Sequence, residues 1–476
     1  MSAAGASEKS RRLDHPINGT LVMDENLKNP DYRPPMRDAI PLGIQHVLAM
    51  FAGNITVPLL IALAAGPQYI TVLVQIALLA AGVATLIQTV GIGPVGSRLP
   101  IVQGTSFAYV GILTGAIKGG ASLAAVFGAS LIGGLFQILL GYFIPQIRKF
   151  IPGLVSGVVV MTIGFTLLPV GIKYSAGCGA YPAGFCKKAG FGDIGNWAMA
   201  LFVILVILLI RRFGKGIWST ASVFIGIVIG YLVAIPFGMF NPRKVEGIAK
   251  ADWIGLPGEW FGLEFSTPAA LSLIGLMVIM AFITTVETVG DISGVTAGGA
   301  DREPTDKELK GGIMADGLGS AIVALFGGLP NTSYSQNVGL VSFTRVMSRH
   351  VVTVGAVFLL LCGFIPKLAA VIGAMPEPVL GGAAVIMFGL IVSAGLKLVA
   401  RSGLSTRNML IAAISLGLGM GLWQVQQLAG AAGFGPLPAD VLPQWSLPLF
   451  VSGIVVAGVV AAVLNAVLPE EETEGA

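Results

Sequence analysis

Charged residues are scarce in this chain of 476 residues: they make up 11% of it, whereas 55% of the residues are hydrophobic. A soluble globular protein carries about 25% charged residues, so this chain lacks the polar surface that such a protein exposes to water. The formal net charge of +4 is small and the basic residues are scattered, which argues against nucleic-acid binding. These shortages leave a membrane protein with several spanning segments.

Cysteine and histidine are also rare, with three of each. No CxxC pair or histidine cluster offers ligands for a metal ion, and no nucleophile is paired with a base. We therefore expect neither a metal cofactor nor enzymatic activity. The phosphate-binding pattern GxxxxGK[ST] is missing too, which argues against ATP as an energy source. Cys178 and Cys186 flank a short loop on the expected outer side, where a disulfide and two free thiols fit the sequence equally well.

Apolar segments recur between two polar tails, at residues 1–39 and 469–476. The N-terminal tail lacks the apolar core of a signal peptide. A bilayer-spanning helix needs about 20 apolar residues. Hydropathy predicts fourteen spanning segments: 40–64, 69–90, 100–117, 122–143, 154–172, 197–211, 217–240, 268–290, 311–328, 335–346, 350–372, 379–400, 406–424 and 446–468.

The third and tenth segments are interrupted in the same way. In each, a Leu-Pro pair precedes a Thr-Ser pair: Leu99-Pro100 before Thr105-Ser106, and Leu329-Pro330 before Thr332-Ser333. A second pair of related stretches, 152–157 and 376–381, links the fifth segment to the twelfth. Both pairs are seven segments apart, and because seven is odd, the second half is inverted relative to the first. Interrupted segments at matching positions of inverted repeats indicate the binding site of a transporter.

The basic residues predict the orientation of these segments. With the N-terminus in the cytoplasm, more than two thirds of the 28 Lys and Arg residues fall in the tails and loops on that side. This bias obeys the positive-inside rule, and an even number of segments places both termini in the cytoplasm. We therefore predict a multi-pass protein of the cell (inner) membrane.

Only three acidic residues lie in or at the edge of an apolar segment: Glu287, Asp291 and Asp316. A carboxylate at the centre of a membrane helix costs about 2.5–3.5 kcal/mol on insertion scales, so such residues are expected to have a function. Glu287 and Asp291 lie four residues apart and share one helix face. Asp291 and Asp316 stand closer to helix ends, where contact with water is an alternative. His46, the one histidine in the interior of a spanning segment, fits either a structural hydrogen bond or proton handling.

These residues suit a small, flat ligand. Glu287 can accept hydrogen bonds from ring N–H groups, and it can gain and lose a proton as access alternates between the two sides. Gln336 offers one acceptor and two donors to an amide-like edge. The ring of Phe107 gives an aromatic ligand a flat apolar surface. The combination predicts a pocket for a planar heterocycle.

The tenth segment carries a specific signature. It reads Gln336-Asn337-Val338-Gly339, followed after four residues by Thr344-Arg345, and it resembles the signature of the nucleobase–ascorbate transporters. Further stretches also resemble this family, namely Glu287 to Asp291, Gln45-His46 and Asp316-Gly317. The resemblance covers about residues 40–468.

Gln336 together with Asp291 resembles the xanthine and urate branch of the family. The uracil branch is similar but has Glu at the first position and His at the second. Val338 departs from the second Asn of many xanthine carriers, and Thr344-Arg345 also resembles the uracil branch. A purine base is therefore the expected substrate, and uracil is the alternative.

The resemblance implies an all-α fold of two inverted seven-helix repeats, with short antiparallel strands in segments three and ten. It implies a core domain, 40–143 and 268–372, and a gate domain, 144–267 and 373–468. We expect the gate domain to form a homodimer and the core to move by an elevator mechanism. A coupling cation, a proton or Na⁺, would accompany the nucleobase.

The resemblance also assigns roles to single residues. Glu287 and Gln336 would grip the base, Phe107 would stack on it, and backbone near Ser106 and Ser335 would complete the pocket. Four further residues would support coupling or hold the strands: Asp291, Asp316, His46 and Asn337.

An anion channel or sulfate-type exchanger of the same architecture is an alternative from another class. Such a protein should present helix N-termini and basic residues to its ligand, whereas the candidate pocket here is acidic.

Replacing Gln336 with Glu should move the ranking of ligands towards uracil, because the amide donors that face the base are lost. Binding of xanthine, urate, guanine and uracil to the purified protein and to the Gln336→Glu variant measures that ranking. An unchanged ranking would show that Gln336 does not contact the ligand.

Overall fold

Helices form nearly all of the structure, a computed structural model that describes residues 28–148, 152–177, 190–240, 242–258, 261–431 and 452–469. The described helices are α1 Met36–Ala65, α2 Ile70–Val90, α3 Val110–Lys118, α4 Leu123–Tyr142, α5 Ile144–Ile147, α6 Gly153–Ser175, α7 Ile194–Phe213, α8 Ile217–Thr220, α9 Ser222–Ala234, α10 Pro242–Lys250, α11 Pro268–Ala300, α12 Asp306–Leu325, α13 Ser335–Thr344, α14 Arg349–Gly363, α15 Pro366–Gly373, α16 Glu377–Arg401, α17 Thr406–Ala431 and α18 Gly453–Val467. Short 3₁₀ helices cover Pro67–Tyr69 and Phe107–Tyr109, and two strands cover β1 Gln103–Thr105 and β2 Asn331–Ser333. Cys178 and Cys186 lie outside the described residues.

Within the described ranges, eight helices are long and apolar enough to cross a bilayer, or nine if α14 and α15, bent by 82°, form one span. The predicted count of fourteen is therefore not confirmed. The third and tenth predicted segments contribute only half-helices, α3 and α13, because part of each segment is a strand. The ninth predicted segment, α12, begins with the charged run 306–310, so it is not apolar enough to count as a spanning helix.

The interrupted segments confirm the predicted pairing of the two halves. The third segment forms a strand, a 3₁₀ turn and a half-helix, and the tenth forms a strand and a half-helix. β1 and β2 pair antiparallel with each other and form a two-stranded sheet within the helical fold. Backbone that is not helical is tolerated at membrane depth only where protein surrounds it, and every residue of both strands is buried.

The helices pack as two sets of neighbours. In one set, α4 lies against α11 and α12, and α14 lies against α1 and α2. In the other, α16 lies against α6 and α7, and α17 lies against α18. The first set falls within the residues of the expected core domain and the second within those of the expected gate domain. The division into core and gate domains stays a prediction.

Two glycines allow α4 and α12 to approach closely. A Cβ atom on Gly317 would lie 2.6 Å from the carbonyl oxygen of Gly134, and a Cβ atom on Gly134 would lie 2.7 Å from the carbonyl oxygen of Gly317. Neither backbone can yield without moving its helix, so the contact requires glycine on both sides. It fixes the part of α12 that carries Asp316, one of the three predicted carboxylates.

Gly317→Ala should therefore lower the thermal stability of the detergent-purified protein, because overpacking a tight interior costs about 1–3 kcal/mol. Gly275→Ala in α11 is the matched control, since a Cβ atom there meets nothing within 4 Å. That substitution should leave stability unchanged or raise it by up to about 1 kcal/mol. Equal melting temperatures for the two variants would contradict the close contact.

Candidate functional site

The strand pair forms the centre of the site. Gln103 pairs with Ser333, and Thr105 pairs with Asn331. The pairing continues beyond the strands, because Ser106 donates its backbone N–H to the Pro330 carbonyl at 2.9 Å. The expectation of short antiparallel strands in segments three and ten is confirmed.

Each strand leads directly into a helix end. β1 is followed by the 3₁₀ turn at Phe107 and then α3, while β2 is followed by Tyr334 and then α13. The first N–H groups of a helix have no partner within that helix, and they carry its positive dipole end. The first residues of both half-helix units, Phe107 and Ser335, line one cavity. The strand pair thus brings two helix N-termini from opposite halves of the chain to one place.

Asp316 of α12 holds β1 against α11. Its Oδ1 accepts a hydrogen bond from Nε2 of Gln103, and its Oδ2 accepts one from the hydroxyl of Thr288. Asp316 is fully buried, and both carboxylate oxygens are occupied by protein donors. Three elements meet on this one side chain.

Asp291 of α11 holds β2 in the same way. Its Oδ2 accepts from the Ser333 hydroxyl at 2.6 Å, and its Oδ1 accepts from the Ser335 hydroxyl at 2.7 Å. These two short contacts fix the junction between β2 and α13. The sequence raised contact with water as an alternative for Asp291 and Asp316, but the structure buries both carboxylates among protein donors.

Glu287 differs from the other two carboxylates. It is only 7% exposed, and its Oε2 atom is buried and makes no hydrogen bond of normal geometry among the described residues, although the Thr332 hydroxyl lies beside the carboxylate. An unpaired buried carboxylate oxygen is costly, and native structures keep such groups where a ligand or ion satisfies them. Glu287 lines a small, partly open cavity together with Gln336 and Phe107. The structure therefore brings together the three residues that were predicted to contact a planar ligand.

Neither of the other two predicted contact residues, Ser335 and Ser106, offers a free hydroxyl to the cavity. Ser335 lines the cavity, but its hydroxyl is engaged by Asp291. Ser106 is buried and does not line the cavity, and its backbone N–H is already bonded within the strand pair. The ring of Phe107 packs edge-on against Phe388, with centroids 5.3 Å apart and planes at 87°. This contact holds the Phe107 ring at the cavity.

His46 and Asn337 lie together, away from the cavity lining. The side-chain amide of Asn337 donates to Nδ1 of His46 at 3.1 Å and to the His46 carbonyl at 2.9 Å. Both residues are buried, so this contact ties α13 to α1. The geometry matches the structural alternative that the sequence left open for His46.

The far ends of α11 and α13 also meet on one carboxylate. Asp301 follows α11 and Arg345 follows α13, both with left-handed backbone (φ 54° and 59°). Arg345 donates to Oδ1 of Asp301 at 2.6 Å, and Lys28 donates to Oδ2 at 3.0 Å. Hydrogen bonds from these two cations hold the pKa of Asp301 below its usual value. The elements that carry Glu287 and Gln336 are thereby joined at their ends as well as at the strand pair.

Sequence reasoning missed several lining residues. Thr105, Thr332, Ser333 and Tyr334 line the cavity, and their positions in or next to the expected strands of segments three and ten could have indicated them. Ile163 and Ile391 also line the cavity. They carried no signal, since each is an apolar residue within an apolar helix.

The whole chain resembles a set of known membrane proteins. The family model described as "Permease family" (Xan_ur_permease) matches residues 37–428. Three similar relatives are the Clostridium perfringens (strain 13 / Type A) protein named "Putative purine permease CPE0397", 38% identical over 98% of this chain and 96% of its own length; the xanthine permease XanP of Escherichia coli (strain K12), 36% identical over 92% and 94%; and the uric acid transporter UacT of Escherichia coli (strain K12), 34% identical over 90% and 85%.

A solved structure shares the architecture. The transmembrane domain of a cyanobacterium bicarbonate transporter, BicA, superimposes with a TM-score of 0.56 at 15% identity, covering 90% of this chain and 99% of that one. This likeness concerns the fold alone, and it confirms the predicted fold class of a helical membrane protein with inverted repeats and a strand pair.

A membrane-embedded helical fold with a strand-anchored internal cavity is the architecture of a permease. The match to the family model and to the relatives places this chain in that class. The chain belongs to the permease family of the nucleobase–ascorbate transporters, as the signature in its tenth segment predicted.

Replacing Asp316 with Leu should destabilise the protein even without a ligand, because the buried donors of Gln103 and Thr288 would lose their acceptor. Each buried unsatisfied group costs about 1–3 kcal/mol. Glu287→Met, which removes a carboxylate oxygen that has no partner, should keep or raise the melting temperature. A stable Asp316→Leu variant, or an equal loss in both variants, would contradict these different roles.

Proposed function

We propose that this protein imports a purine base, xanthine or urate or both, across the cell (inner) membrane. The observation that carries the proposal is the buried, unpartnered Oε2 atom of Glu287 in the cavity with Gln336 and Phe107. The names of the similar xanthine and uric acid permeases support the same class of substrate.

The chemistry of a purine base fits these three side chains. Its ring N–H groups can donate to the Glu287 carboxylate, which has an oxygen to offer. The Gln336 side-chain amide can both donate to a ring carbonyl and accept from a neighbouring N–H. The flat face of the base can stack on Phe107, an arrangement worth about 0.5–1.5 kcal/mol beyond area burial.

A cation should accompany the base, and we propose a proton. Among the described residues that line the cavity, Glu287 is acidic and none is basic, so a cation bound with the base would balance the carboxylate. Glu287 would bind the proton and the base when the site faces one side of the membrane and release both on the other side. Na⁺ is the alternative coupling ion.

We further propose that the core domain carries the site past the gate domain in an elevator movement. The contacts of Asp291 and Asp316 support this, because they hold the two strands to α11 and α12 as one body. Ile163 and Ile391 of the expected gate domain face that body across the cavity lining. Both termini would lie in the cytoplasm, as the positive-inside bias predicts.

A homodimer through the gate domain is part of the same proposal. The spanning windows of α7 and α17 are only 22% and 17% buried, the least of the eight candidate spans. Their exposed apolar side chains have to face either lipid or a second copy of the chain.

Anion transport is the second candidate, because the fold is also that of a bicarbonate transporter. Two helix N-termini at the cavity would suit an anion. The unpartnered carboxylate of Glu287 would repel one, so we favour the purine. Uracil remains the alternative substrate within the family, on account of Thr344-Arg345.

Glu287→Gln should weaken xanthine binding to the purified protein by at least about tenfold, the equivalent of about 1.4 kcal/mol, because the amide replaces one carboxyl oxygen with an NH₂ group and cannot take up the proton that accompanies the base. Uptake of radiolabelled xanthine into proteoliposomes should fall with it. Glu246→Gln, on the exposed helix α10, is the matched control and should leave both unchanged.

Two results would overturn the purine proposal. One is xanthine and urate binding that is unaffected in Glu287→Gln. The other is bicarbonate flux through the wild-type protein that xanthine, urate and uracil fail to inhibit, which would favour the anion transporter.

A further inference from the structure

The cavity lining divides by chemistry and by origin. Its polar residues come from β1, β2, α11 and α13 and their junctions, and they include Glu287 and Gln336. Ile163 of α6 and Ile391 of α16 belong to the other set of neighbouring helices, and both are purely apolar. They are 1% and 5% exposed, so no open space lies behind them. A ligand bound by the polar residues would therefore contact these two apolar side chains, which form a boundary on its other side.

The helices that carry this boundary are locked together by glycines. A Cβ atom on Gly157 of α6 would lie 2.8 Å from the carbonyl oxygen of Gly395 in α16, and one on Gly164 would lie 2.8 Å from the backbone nitrogen of Val392. The two backbones are thus in direct contact along the stretch that presents Ile163 and Ile391. Neither helix can shift relative to the other without breaking this contact.

The side chains themselves are stiff. Isoleucine is branched at Cβ, and in a helix it populates one χ1 rotamer almost exclusively. Ile163 and Ile391 therefore cannot swing aside to admit a larger ligand. A boundary of this kind discriminates by size, and one methyl group in an apolar pocket changes affinity by about 10- to 200-fold.

We propose that Ile163 and Ile391 form a size filter that excludes purine bases carrying an alkyl substituent. The proposal rests on the proposed purine transport and adds a limit to its substrate class. Glu287 and Gln336 bind the base, while the two isoleucines decide which substituted bases fit beside it. Phe388 lies one turn from Ile391 on α16 and packs against Phe107. The helix that carries Ile391 therefore also contacts the ring on which the base would stack.

The test measures binding of xanthine and of 1-, 3-, 7-, 8- and 9-methylxanthine to the purified full-length protein. The wild-type protein should bind at least one of these methylated bases about tenfold or more weakly than xanthine. Ile163→Ala or Ile391→Ala should recover about tenfold in affinity for that base relative to xanthine. Ile391→Phe should weaken xanthine itself, because it reduces the same space.

Ile386→Ala is the matched control, an isoleucine on α16 that packs in the core without lining the cavity. It should leave the discrimination between xanthine and its methylated forms unchanged. Ile163→Val and Ile391→Val, which remove a single methyl group, should shift the discrimination in the same direction and serve if an alanine variant does not fold.

The proposal fails if the wild-type protein binds every methylated base as tightly as xanthine. It also fails if variants that still bind xanthine gain no affinity for any methylated base. Failure of the proposed transport gives a different result, since the wild-type protein would then bind neither xanthine nor urate.

Discussion

The antiparallel contact between β1 and β2 is the constraint on which the rest of the site depends. Two three-residue strands from opposite halves of the chain meet inside a helical bundle, where unpaired backbone would be prohibitively costly. Their own pairing is short, and two buried carboxylates reinforce it: Asp316 binds Gln103 on one strand, and Asp291 binds Ser333 on the other. Both half-helices begin just beyond these strands, so the positions of Phe107, Ser335 and Gln336 follow from this contact.

The three intramembrane carboxylates look alike in the sequence, but their hydrogen bonding differs in the structure. Asp291 and Asp316 use both oxygens to hold protein groups, whereas Glu287 keeps a buried oxygen without a partner. Two carboxylates therefore hold the strand pair in place, and we propose that the third binds the ligand. An unpaired buried oxygen destabilises the protein locally. A binding site can retain such an atom because the bound ligand supplies its missing hydrogen bond.

Much of this could be predicted from the sequence, because charge inside an apolar chain is rare enough to be informative. The paired Leu-Pro and Thr-Ser motifs located the interruptions in segments three and ten, and the family resemblance implied the strands that lie there. Glu287, Gln336 and Phe107 line one cavity. The count of fourteen spans was not confirmed, because half-helices and the charged start of α12 do not behave as whole spans. The bond from Gln103 to Asp316 joins residues far apart in sequence, and Ile163 and Ile391 differ in no visible way from other isoleucines. Such features depend on tertiary packing, which composition and spacing do not encode.

We propose that Glu287 alone among the three carboxylates binds the ligand. A structure of the protein with xanthine bound would show which carboxylate the base contacts. We expect a ring N–H of xanthine about 2.7–3.2 Å from the Glu287 carboxylate, with the contacts of Asp291 to Ser333 and of Asp316 to Gln103 unchanged. Xanthine bound to Asp291 or Asp316, with Glu287 remote from the base, would contradict it.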